Sequence, residues 1–141
     1  MKRQLNIILG NMDDAINDVL SEWITLVVKD KYDLKIRSSF WNEEILELAE
    51  NNTIDIFILI LNNIRVFRSN YSKDFLDDSL ELIAKIKTTY GSPVIALYGW
   101  PDDPLYLEKV KQVGANFCFK IPCKMVDFEK AVRMCLPMES F

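Results

Sequence analysis

The chain has 141 residues, half of them apolar, and a formal net charge of −4. That length suits one domain, residues 1–141, with a continuous buried core, and argues against a multidomain enzyme. The basic residues Lys29, Lys31, Lys35, Arg37, Arg65 and Arg68 are scattered among acids rather than gathered in a stripe, which gives direct nucleic-acid binding little support.

At the start, Lys2-Arg3 precede only a short apolar run, Leu5 to Leu9, interrupted by Asn6, so no signal peptide is expected there. The longest apolar run, Ile56 to Leu61, is too short to span a bilayer, so no membrane partner is expected. Three cysteines, Cys118, Cys123 and Cys135, stand in no metal-ligand spacing, and histidine is absent. Zinc and disulfide readings both fail, no cofactor is expected, and reduced cysteines acting as small hydrophobes fit a cytoplasmic protein.

Leu5 to Leu9 reads as a buried strand. From Asp13 the period changes, and Ile16, Val19, Leu20, Trp23, Ile24, Val27 and Val28 recur at helical spacing. Trp23 belongs to that stripe and is expected in the core. Leu34 to Arg37 alternates as a half-exposed strand does, and Asn42 precedes an acidic helix, Glu43 to Glu50, closed by Asn51-Asn52. Ile54 to Leu61 is a solid β-prone run, as a strand covered on both faces requires. An irregular insertion at about 62–74, with Arg65, Phe67, Arg68 and Tyr71, separates it from a helix over Asp77 to Thr88.

Gly91-Ser92 marks a turn before a fourth strand, Pro93 to Tyr98. A helix then carries Tyr106, Val110 and Val113 on one face and ends at Gly114. Phe117, Phe119 and Ile121 alternate with Cys118 and Lys120 in a fifth strand, and the last helix groups Phe128, Ala131, Val132 and Cys135. Five strands alternating with five helices imply a three-layer αβα sandwich around a parallel sheet with right-handed crossovers. The first, third and fourth strands look buried and the second and fifth look like edges, which gives the flavodoxin-like order 2-1-3-4-5.

The stretches Leu80 to Lys87 and Ser92-Pro93-Val94-Ile95-Ala96-Leu97 resemble the third helix and fourth strand of the receiver domains of bacterial response regulators. Val113-Gly114-Ala115-Asn116-Phe117-Cys118-Phe119-Lys120-Ile121-Pro122 resembles the family's Gly-Ala turn, fifth strand and closing Lys-Pro. The resemblance implies a cytoplasmic two-component signalling domain and a cis bond before Pro122. It also implies where phosphorylation residues would stand. The acidic metal-binding pair falls on Gly10 and Asn11, the phosphoacceptor aspartate on Ile60, the switch Ser/Thr on Tyr98, and the phosphate-contacting lysine on Ile121.

Receiver chemistry needs an oxygen nucleophile and hard oxygen ligands for magnesium, and none of these five residues supplies a carboxylate. The expectation is a degenerate receiver, not an enzyme, that binds another signalling protein or a second copy of itself. The alternative is a working phosphoacceptor with an offset site built from Asp13 or Asp14 and an acid such as Asp74. Asp13 and Asp14 have a plainer explanation, since acids in a helix's first turn favour the positive end of its dipole. Asp102-Asp103, between Pro101 and Pro104, likewise suit a turn.

A flavodoxin-like domain binding a small phosphorylated ligand is the weakest reading, because the turn Gly10-Asn11-Met12-Asp13-Asp14 offers one glycine and two repelling acids. Trp100 and Tyr98, after the fourth strand, could stack on a ligand or plug a vacated pocket. The fourth helix, fifth strand and fifth helix form the family's usual interaction face. Here Lys111, Cys118 and Lys120 are its candidate contacts, with Cys118 and Lys120 expected to point outward.

Overall fold

A computed structural model describes residues 2–61, 75–99 and 104–137. The elements run β1 (Arg3–Gly10), α1 (Asp14–Val28), β2 (Tyr32–Ser39), α2 (Asn42–Asn51), β3 (Ile56–Leu61), α3 (Phe75–Thr89), β4 (Val94–Tyr98), α4 (Pro104–Gln112), β5 (Phe117–Lys120) and α5 (Met125–Cys135). The strands form one parallel sheet in the order β2-β1-β3-β4-β5. This is the flavodoxin-like arrangement that the strand patterns imply. The insertion at about 62–74, with Phe67, Tyr71 and Asp74, lies outside the described residues, as do Trp100, Asp102 and Asp103.

Every residue of β3 and β4 is buried, because helices cover both sides of the middle of the sheet. Alternate strand residues therefore feed two separate cores. Leu5, Ile7, Leu9, Ile56, Ile58, Ile95 and Leu97 pack under α1 and α5 with Leu20, Ile24, Phe128 and Val132. Ile8, Phe57, Leu59, Val94 and Ala96 pack under the other helices with Ile45, Ile83, Ile86 and Val110.

Several boundaries differ from the sequence reading. β1 and β2 begin at Arg3 and Tyr32 because their ladder pairs Arg3 with Tyr32 and continues to Gly10 opposite Ser39, so polar residues are drawn in by register. α2 begins at Asn42 itself, one residue early, and α3 begins at Phe75. Val19 sits off the buried stripe of α1, 46% exposed, while Leu20, Ile24 and Val28 carry the packing. Trp23 is half-buried, its ring 5.8 Å from that of Phe128. Gly114 stops α4 as expected, at φ +116°, and a Cβ there would lie 2.7 Å from Lys87 Cγ.

Among the described residues, no helix is long and apolar enough to cross a membrane.

Candidate site at the carboxyl edge of the sheet

In a parallel sheet of this topology a ligand crevice forms beyond the carboxyl ends of the strands, where crossovers depart in opposite directions. Here those ends are Gly10, Leu61, Tyr98 and Lys120, with Leu61 paired to Tyr98 and Tyr98 to Lys120.

Gly10 is held by close packing. A Cβ on it would lie 2.6 Å from both Ile45 Cδ1 and Leu59 Cδ2, so any larger residue must displace two core side chains. Asn11 follows with φ +66°, a left-handed conformation that asparagine tolerates better than most residues. It is only 2% exposed, and its backbone N–H donates to Ser39 O at 2.8 Å. That bond ties the β1–α1 turn to the end of β2. Ser39 is fixed in turn, since Ser39 Oγ donates to Glu44 Oε2 at 2.7 Å and accepts from Trp41 N–H at 3.1 Å. The Ser39–Glu44 brace was missed from sequence, where its one trace is a serine pair closing an edge strand just ahead of an acidic helix.

Ile60 is 7% exposed and belongs to the first core, together with Met12 and Leu97. Tyr98 is equally buried, in the second core, and its carbonyl accepts from Ile121 N–H at 2.7 Å. Ile121 packs on the first core, and the Ile121-Pro122 bond is cis. Ile60, Tyr98 and Ile121 thus cap the two cores, and Gly10 packs against Ile45 and Leu59 of the second.

Asp13 is engaged in the helix start: its Oδ1 accepts from Ile16 N–H at 3.0 Å, which makes it the N-cap of α1, and Asp14 occupies the exposed first turn. Among the described residues, no group of three or more acids, cysteines or histidines is placed to hold a metal ion.

On the neighbouring face, Lys111 and Lys120 are exposed. Cys118 does not point outward. Its side chain packs on the second core, because this edge strand still has helices over both of its faces. Burial pushes its thiol up to about 11, against the opposing effect of the Lys111 charge, and burial pushes Cys135 up to about 11 as well. Both thiols stay protonated near neutral pH and are poor nucleophiles.

No family model matches the chain, and no curated protein matches it. Solved structures do. The chain is similar to the signal receiver domain of a DNA-binding response regulator from Colwellia psychrerythraea 34H, at 18% identity and a TM-score of 0.73, over 93% of this chain and 97% of that one. A CheY-like response regulator receiver domain protein from Methanospirillum hungatei JF-1 matches at 17% identity and a TM-score of 0.69, covering 93% of this chain and 92% of the other. An orphan response regulator of H. pylori matches at 12% identity and a TM-score of 0.70, over 97% of this chain and all of that chain, 100%.

Proposed function

We propose that this chain, whose fold is that of response-regulator receiver domains, acts as a degenerate receiver, an interaction module in signal transduction that performs no phosphoryl transfer. The observation that carries this reading is Ile60, buried among core side chains at the position where the receiver resemblance calls for an aspartate. An isoleucine offers no nucleophile, and a side chain at Gly10 would have to displace Ile45 Cδ1 and Leu59 Cδ2.

With nothing to phosphorylate, the partner-binding face is constitutively competent or responds to a ligand rather than to a phosphate. The partner is another signalling protein or a second copy of this chain. The exposed Lys111 and Lys120, on α4 and β5, are the first contacts to test.

Incubating the full chain with acetyl phosphate and magnesium, followed by intact mass measurement, tests the absence of phosphotransfer. The mass is expected to stay unchanged. A phosphate adduct that disappears in Asp13→Asn, Asp14→Asn or Asp74→Asn would establish the offset-site receiver instead.

A further inference from the structure

An open parallel sheet has two edge strands, and here they differ in length. β5 has 4 residues, and very short strands are one way in which an edge is protected, whereas β2 has 8. Among the described residues β2 is paired with one neighbour only, β1. Its outer side therefore presents a row of backbone groups to any further strand.

The register identifies those groups. Asn6 N–H donates to Asp55 Oδ2 and Asn6 O accepts from Asp55 N–H, so Asn6 turns both of its backbone groups toward β3. By alternation Leu5, Ile7 and Leu9 turn theirs toward β2, where they stand in register with Leu34, Ile36 and Ser38. In a parallel ladder the bonds slant, so Leu5 bonds to Asp33 and Lys35, and the N–H and C=O of Leu34 point away from the sheet. Ser39 O, which accepts from Asn11 N–H, has the same phase. Tyr32, Leu34, Ile36 and Ser38 thus turn their backbone groups to the outer edge. The side chains alternate too: Leu34 and Ile36 are half-buried against the first core, and Asp33 and Lys35 are exposed on the opposite face.

We propose that β2 is a dimerisation edge, which pairs antiparallel with β2 of a second copy about a two-fold axis through Leu34. Antiparallel pairing of two identical edges closes as a dimer, whereas parallel pairing does not close. Outward groups meet outward groups only when the axis passes through a residue, and axes at Leu34, Lys35, Ile36 and Arg37 all keep most of β2 paired. Charge decides among them. At Lys35 or Arg37 that cation faces its own copy, and at Ile36 each Lys35 faces an Arg37. With the axis at Leu34, each Asp33 faces Lys35 of the second copy, and opposite charges set directly across an antiparallel pair are stabilising. On the other face Leu34 meets its own counterpart and Ile36 stands opposite Tyr32, and each of these pairs exchanges backbone hydrogen bonds. The proposal rests on the reading of the chain as an interaction module and deepens it: the partner is a second copy, and the contact lies at the opposite edge of the sheet from Lys120.

Sedimentation velocity of the full chain over a concentration series is expected to show monomer passing to dimer. In the dimer the amides of Leu34 and Ile36 should exchange with deuterium more slowly than in the monomer, while those of Asp33 and Lys35, which already face β1, should not change. Lys35→Glu sets like charges against Asp33, and Asp33→Lys sets them against Lys35. Each variant should raise the dimer dissociation constant by about tenfold or more, with the far-ultraviolet circular dichroism unchanged. Mixed in equal amounts the two variants should pair with each other, because the introduced glutamate then meets the introduced lysine and the remaining Asp33 meets the remaining Lys35.

A chain that stays monomeric up to about 1 mM, a dimer indifferent to both single changes, or a mixture of the two variants that fails to pair would each overturn the proposal. So would a dimer broken by Lys111→Glu with Lys120→Glu. None of these outcomes bears on phosphotransfer, whereas a phosphate adduct from acetyl phosphate would defeat the degenerate-receiver reading and leave the pairing of β2 standing.

Discussion

The two ends of the sheet differ in the chemistry of the strands at its middle. At the amino end, polar side chains close the starts of the strands. Asn6 N–H donates to Asp55 Oδ2 at 2.8 Å, and Asp55 N–H returns a 2.8 Å bond to Asn6 O. Arg37 donates to Asn6 Oδ1 at 3.1 Å. Asn116 Oδ1 accepts from both Val94 N–H and Lys87 Nζ at 3.0 Å, and Ser92 Oγ donates to Ile54 O at 2.9 Å. At the carboxyl end polar groups are confined to the β1–α1 turn and the end of β2, with Asn11 bonded to Ser39 and Ser39 to Glu44, while Gly10, Ile60, Tyr98 and Ile121 pack against the cores. The fold keeps the polar groups that close the strand starts, and its core extends over the positions where the receiver resemblance would have polar groups for a reaction.

The largest expected effect comes from trying to reverse that difference. Restoring an acid at the end of β1 with Gly10→Asp forces Ile45 and Leu59 apart and buries a charge with no partner designed for it. Overpacking and an unpaired buried charge together should cost at least about 3 kcal/mol in a urea titration. A variant that kept wild-type stability and gained magnesium binding would mean that the carboxyl end remains a usable metal pocket.

At the amino end, Asn116→Ala removes the acceptor for Val94 N–H and for Lys87 Nζ while leaving the chain start of β4 in place. Leaving a partly buried backbone donor unpaired should cost about 1–3 kcal/mol, with little change in the dependence on urea concentration. A cost near zero would show that the polar closure is decorative, and the contrast between the two ends would lose its energetic content.

Asp13 lies three residues beyond the end of β1, and its role can be separated by magnesium. As a helix cap, its replacement in Asp13→Ala should destabilise by about 1 kcal/mol, and by the same amount with and without millimolar magnesium. The tryptophan fluorescence of the unaltered chain should likewise not respond to the ion. A saturable fluorescence change abolished by Asp13→Ala would reassign the residue from cap to ligand.

Most of the architecture was legible because the two periods in the sequence are clean. The run Ile56 to Leu61 could only be a strand covered on both faces, and Phe128, Ala131, Val132 and Cys135 could only share one face of a helix. What escaped were features that arise between elements. Arg3 and Tyr32 are strand residues because they pair with each other, which neither segment shows alone. Cys118 was placed outward by alternation, but alternation says only that it opposes Phe117 and Phe119, and both faces of β5 are covered. The crowding at Gly10 and the exposure of Val19 depend on how helices lie on the sheet, so one sequence could mark both residues but explain neither.

The smallest expected effect on stability is at Lys120, and it addresses which end of the molecule meets a partner. Lys120 is exposed at the last position of β5, paired in register with Tyr98, so it stands at the rim of the apolar carboxyl end. Lys120→Glu reverses one exposed surface charge, and such changes usually alter stability by no more than about 0.5 kcal/mol. Binding responds differently: a rim charge changes the association rate and its salt dependence more than it changes dissociation. If the α4, β5 and α5 face receives the partner, Lys120→Glu combined with Lys111→Glu should slow association at low ionic strength while the dissociation rate holds. Full-rate association by this double variant would show that the α4, β5 and α5 face does not receive the partner.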